Sequence, residues 1–167
     1  MKKPSERLRH LGARGQIKQV DFGRLLAPER VLELGSIAKG EALNRLIEAA
    51  ARSDRVADPE KLRRAVLKRE EIASTGIGNG IGVPHAKIPE IRDFVLAVGR
   101  SREGIDYGSH DGQPVTIITL IGANDSQSSE FLTVIANLMQ KLKAPKFRRE
   151  VMEAADAKEI YDLFARA

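Results

Sequence analysis

The 167-residue chain has no cysteine and no tryptophan, and only 4% of its residues are aromatic. The absence of cysteine excludes a disulfide framework and every thiolate metal site, and it agrees with a reducing compartment. Histidine is almost as scarce: His10, His85 and His110 are the only three, with no H-E-x-x-H pair among them. No zinc centre is therefore expected, nor any other metal or cofactor. No uninterrupted apolar run approaches membrane-spanning length, and the first residues lack the apolar core and small-residue cleavage site of a signal peptide. These absences predict a cytoplasmic protein without membrane insertion. Internal repeats and low-complexity stretches are missing too, so no linker to a second domain is expected.

The net charge sits at one end. Residues 1–19 hold Lys2, Lys3, Arg7, Arg9, Arg14 and Lys18 against Glu6 alone, which accounts for the whole net charge of +5. The body is balanced. A nucleic-acid-binding domain carries its excess on the folded surface, so the basic isoelectric point describes a tail and not a binding face. The expected organisation is a basic, flexible tail over 1–19 and one domain over 20–167, large enough for a real core. The tail reads first as a solvated arm, with an acidic partner or membrane lipid as the alternative.

The most informative stretch runs from Ser74 to Ala86. Four glycines, Gly76, Gly78, Gly80 and Gly82, lead into Pro84-His85. Glycine reaches positive φ without a Cβ clash and lets successive N–H groups turn inward, so the run can form a nest for an anion. Pro84 fixes its own φ and pushes Val83 into an extended conformation, which places His85 at a strand end. Counted from Gly76 or Gly78, the last position of G-x-G-x-x-G falls on Ile81 or Val83, and no Gly-Lys-Ser/Thr follows, so neither the dinucleotide fingerprint nor a P-loop is present. A neutral imidazole here can be a nucleophile, a base or a metal ligand.

Around it the patterning alternates. A short helix or turn and a strand are predicted over 20–34. Leu43, Leu46, Ile47 and Ala50 define an amphipathic helix over 39–52. Asp58 and Pro59 open a second helix that runs to about Glu71 and carries Arg69 towards the glycines. The apolar runs 94–101 and 115–123 read as strands, the second central in its sheet because it is β-branched and without charge. Residues 106–114 read as a polar loop. Helices follow over 129–142, with Ser126 and Ser128 as capping candidates, then over 147–155, and from Asp156, where Asp156 to Glu159 resembles a capping box. The predicted fold is an α/β single-domain sandwich with a mixed central β-sheet and helices on both faces.

Ser74 to His85, with Arg69 and Glu70 upstream and Asp111 to Val115 downstream, resembles the type-2 enzyme IIA family of the bacterial phosphoenolpyruvate-dependent phosphotransferase system. That family includes fructose and mannitol IIA domains and nitrogen-regulatory IIA proteins. The resemblance covers about residues 27–165. It implies that His85 accepts a phosphoryl group from a histidine phosphocarrier protein and passes it on, to a IIB domain or a regulatory target. Arg69 then stabilises the phosphate, or is an ordinary helix-surface arginine. Thr75, Gly76, Gly78, Asn79 and Gly80 are the candidate phosphate-binding residues, although Thr75 and Asn79 can equally satisfy the turn backbone. His110 reads as an exposed loop histidine, and Lys87 as a source of positive potential or a solvated lysine. The absence of an attached transporter domain favours the nitrogen-regulatory subgroup. One position departs from the family: many members have His-Leu at the start of the helix after the central strand, where this chain has Phe131-Leu132. The alternative reading is a non-catalytic regulatory module that keeps the fold and is poorly phosphorylated.

Overall fold

The computed structural model describes residues 19–166. The basic segment predicted over 1–19 lies outside the described residues except for Gln19, and so does His10.

The first turn of structure is the helix α1 (Phe22–Leu25), then a 3-10 turn (Pro28–Arg30) and strand β1 (Val31–Glu33). Helices α2 (Lys39–Ala51) and α3 (Pro59–Ile72) follow. Three short strands, β2 (Gly76–Gly78), β3 (Ile81–Gly82) and β4 (His85–Lys87), carry the glycine run. The long strands β5 (Val95–Ile105) and β6 (Val115–Ala123) precede helices α4 (Ser128–Lys143), α5 (Pro145–Glu153) and α6 (Ala157–Ala165).

The six strands form one mixed sheet in the order β1-β5-β6-β3-β2, with β4 beside β6 in line with β3. β1 runs parallel to β5, β5 antiparallel to β6, and both β3 and β4 parallel to β6. β6 is central, as its uncharged β-branched run requires: the backbone is paired on both edges and the side chains are covered on both faces. Alternation along the strands divides the core. Leu96, Val98, Ile117 and Ile121 pack with α1, α4, α5 and α6, while Val95, Ala97, Ile118 and Leu120 pack with α2 and α3. The result is the predicted α/β sandwich with helices on both faces.

Local signals explain most helix ends. Asp58 Oδ1 accepts the Lys61 N–H at 3.1 Å and Pro59 fills the first position of α3. Asp156 accepts from the Glu159 N–H at 3.0 Å, while Glu159 reaches back to the Ala155 N–H at 2.7 Å, one residue beyond the partner a capping box specifies. At α4 the expectation of a serine cap is not met. Gln127 is the N-cap residue and makes no side-chain cap bond. The Ser126 hydroxyl is taken by Asn124 Oδ1, and Ser128, already the first residue of α4, donates to the Asp125 carbonyl.

Candidate functional site

The glycine run folds as a hairpin. Asn79 (φ 57°) and Gly80 (φ 76°) form its turn, with both central residues left-handed as a two-residue hairpin loop requires. A Cβ at Gly80 would come within 2.9 Å of Thr116 Oγ1, so the position admits no other side chain without displacement. Several of the run's amides are occupied: Gly76 N–H donates to Ser74 Oγ, Gly78 N–H to Ser109 Oγ and Asn79 N–H to Asp111 Oδ2, at 3.1, 3.2 and 3.2 Å. The Asp111 carboxyl is held below its usual range, first by the Gln113 amide and also by that of Asn79. These bonds tie the hairpin to the loop 106–114. Thr75 is buried, its hydroxyl shared between Glu70 and Tyr107.

Past the hairpin, Val83 donates to the Thr75 carbonyl and the Pro84 carbonyl accepts from the Ile121 N–H, both at 3.0 Å. His85 therefore starts β4 with its backbone held from two sides. Its Nδ1 lies 3.0 Å from the Val83 carbonyl. A carbonyl only accepts, so Nδ1 carries the proton and Nε2 keeps a free lone pair. Burial lowers the imidazole pKa below its ordinary value of 6.5; the Val83 bond works against this, and the nearby charges of Arg69 and Lys87 add to the lowering. The ring is neutral at pH 7.

Arg69 and His85 line one open hollow of about 430 Å³, together with Lys68, Ile72 and Lys87. Arg69 is held there by the end of α3, where its Nη1 donates to the Ala73 carbonyl at 2.9 Å. Phe131, in the first turn of α4, lies with its ring centroid 5.5 Å from that of His85, and Lys87 Nζ sits 4.9 Å from the Phe131 centroid. The site thus joins three cationic side chains, Lys68, Arg69 and Lys87, with an apolar ring and a neutral imidazole. His110 is exposed and joins the hairpin only through its backbone N–H, which donates to the Gly76 carbonyl. Among the described residues no three His, Asp or Glu side chains group to hold a metal, and no helix is long and apolar enough to cross a membrane.

Sequence reasoning passed over Tyr107 and Lys39. Tyr107 is 1% exposed, and burial pushes its hydroxyl pKa well up. It stood in a polar stretch; the signal that could have found it is Gly82, where a Cβ would meet the tyrosine ring at 3.1 Å.

The family model for the phosphoenolpyruvate-dependent sugar phosphotransferase system, EIIA 2, matches residues 27–167, and the chain belongs to this enzyme IIA family. It is 31% identical over 79% of its length to the fructose-specific EIIABC component of Bacillus subtilis, of which the match takes up 21%. It is also 31% identical, over 80% of its length and 87% of the relative's, to the fructose-specific EIIA component of Haloferax volcanii. The fold is that of nitrogen regulatory protein IIA-Ntr from Neisseria meningitidis, with a TM-score of 0.79 at 21% identity, covering 86% of this chain and 98% of that one. Mannitol IIA in its complex with phosphorylated IIB from Escherichia coli has the same fold, with a TM-score of 0.73 at 21% identity, covering 86% of this chain and all of that one.

Proposed function

We propose that this chain is a phosphocarrier that accepts a phosphoryl group on Nε2 of His85 from a histidine phosphocarrier protein, then passes it on or uses it as a regulatory signal. The observation that carries this reading is the Nδ1–H bond to the Val83 carbonyl, which leaves Nε2 as the nucleophile. In the forward step the Nε2 lone pair forms the new N–P bond as the donor's N–P bond breaks, and the donor nitrogen keeps that electron pair. The Nδ1–H bond persists and takes up part of the positive charge that develops on the phosphorylated ring. Because one N–P bond replaces another of the same kind, the transfer is nearly isoenergetic, and the protein mainly positions and stabilises spread charge.

Arg69 supplies the planar donor for the phosphate oxygens and Lys87 adds positive potential. The parts of Thr75, Gly76, Gly78, Asn79 and Gly80 in this reading follow from the hairpin: they shape the approach to His85, and an amide that holds phosphate must first release its present acceptor. The recipient belongs to the IIB class or is a regulatory target, in the manner of the mannitol IIA complex with phosphorylated IIB. The test is intact mass after incubation with phosphoenolpyruvate, enzyme I and the carrier protein. A gain of one phosphoryl group is expected, and no gain under conditions that charge the carrier would sink the proposal.

The lowered imidazole pKa sets a pH dependence. Only neutral His85 attacks, and its neutral form persists below the ordinary value of 6.5. The single-turnover rate of acceptance should therefore stay level across neutral pH and fall only on the acid side of that value. A rate that halves near 7 with His85 as the titrating group would contradict it.

Phe131 favours the second reading, a regulatory module that docks partners without efficient phosphorylation. Its ring stands where the family resemblance implies a histidine donor, and phenylalanine donates no hydrogen bond to phosphate. Phe131→His should restore a charge-assisted bond of about 1.5–3 kcal/mol and move the transfer equilibrium towards phosphohistidine by roughly tenfold or more. If the ring is instead part of a hydrophobic docking surface, the same variant weakens carrier affinity. Measuring the equilibrium and the affinity on both forms separates the two.

A further inference from the structure

Glu70 follows Arg69 on α3, yet its side chain is 6% exposed, takes no part in the chemistry above and belongs to a polar cluster. Oε1 accepts the Thr75 N–H at 2.9 Å and pairs with Lys39 Nζ at 2.8 Å, while Oε2 accepts the Thr75 hydroxyl at 2.7 Å. Since the Thr75 proton is committed to the carboxylate, the Tyr107 hydroxyl, 2.9 Å away, donates to Thr75 Oγ1. Lys39 closes the ring by donating to the Tyr107 carbonyl at 2.9 Å, with its ammonium 4.1 Å from the tyrosine centroid. A buried carboxylate satisfied this fully holds its neighbours in one arrangement.

From that cluster one backbone path leads to the imidazole. The Thr75 carbonyl accepts the Val83 N–H at 3.0 Å, and the Val83 carbonyl accepts Nδ1–H of His85 at 3.0 Å. Pro84, between them, has a fixed φ, so a displacement of Val83 is passed on to the ring and not absorbed.

We propose that Glu70 is a positioning residue for His85: by clamping both the amide and the hydroxyl of Thr75 to the end of α3, it places the Val83 carbonyl that orders the imidazole and selects its tautomer. The proposal deepens the phosphocarrier reading, on which only its kinetic consequence rests. Glu70 never meets the phosphoryl group. Its removal acts through ring order, and leaves the nucleophile, Arg69 and the hollow in place.

The experiment is nitrogen-15 NMR of the imidazole in the full chain, paired with single-turnover transfer from the phosphorylated carrier protein. Wild type should show Nδ1 protonated and Nε2 bare. Glu70→Gln cannot accept both Thr75 groups or pair with Lys39, and should give a mixture of tautomers with transfer slowed on the order of tenfold at unchanged carrier affinity. Tyr107→Phe, which removes one hydroxyl, should move the same signals in smaller measure and decides the matter if Glu70→Gln does not fold. A tautomer unchanged in the folded variants, even with a lowered melting temperature, overturns the proposal, as does a wild type protonated on Nε2. If wild type takes up no phosphoryl group while the tautomer still shifts, the phosphocarrier reading fails and the positioning role stands.

Discussion

His85→Ala should gain no phosphoryl group under conditions expected to charge the wild type, and its far-UV and thermal unfolding profiles should stay close to those of the wild type. The loss should be complete because, among the described residues, His85 is the one imidazole that lines the hollow, while His110 is exposed in the loop 106–114 and does not line it. Folding is little affected because the side chain is half-buried at the sheet end, with one hydrogen bond to the Val83 carbonyl, and alanine leaves the extended backbone of β4 unchanged. Peptide mapping of the wild type completes the test: a label on His10 or His110, or an unchanged mass gain in His85→Ala, rejects His85 as the acceptor.

Arg69→Ala should slow transfer by roughly tenfold or more, the equivalent of one hydrogen bond to a charged group at about 1.5–3 kcal/mol. Arg69→Lys keeps the charge and loses the planar two-pronged donor, so it should recover only part of the rate. Neither change should cost much stability, since Arg69 is half-buried and its bond to the Ala73 carbonyl closes an α3 end exposed to water. Stopped-flow transfer from the labelled carrier, with melting temperatures alongside, checks both halves. An unaltered rate in Arg69→Ala would remove this residue from the site.

A good part of this molecule is legible in local pattern. Asp58-Pro59 opens α3 because a carboxylate at the cap and a fixed φ at the first position need no tertiary help, and the bond from Lys61 N–H to Asp58 is the outcome. The stripe of Leu43, Leu46, Ile47 and Ala50 specifies α2 in the same way, and all four are buried. The uncharged run at 115–123 identifies the central strand through burial on both faces. Pro84 sets the backbone ahead of His85, so this histidine could be singled out before any fold was known.

Other features depend on groups far apart along the chain. The glycine run by itself is compatible with an anion nest; it becomes a hairpin whose amides are largely taken because Ser109 and Asp111 arrive beside it from a loop about thirty residues later. Tyr107 looks solvated in its polar stretch, and is buried because Gly82 leaves a gap its ring fills.

By itself the sequence determined the helices, the long strands, the α/β class and one histidine poised at a strand end, since these follow from periodicity, caps and the fixed geometry of proline. Only the tertiary structure decided which nitrogen of His85 is free, that Phe131 faces that ring, and that Glu70 turns from Arg69 towards Lys39, Thr75 and Tyr107. The reason is physical: tautomer, pKa and the partner of a buried charge depend on what surrounds a group within a few ångströms, and most of those neighbours are distant in the chain.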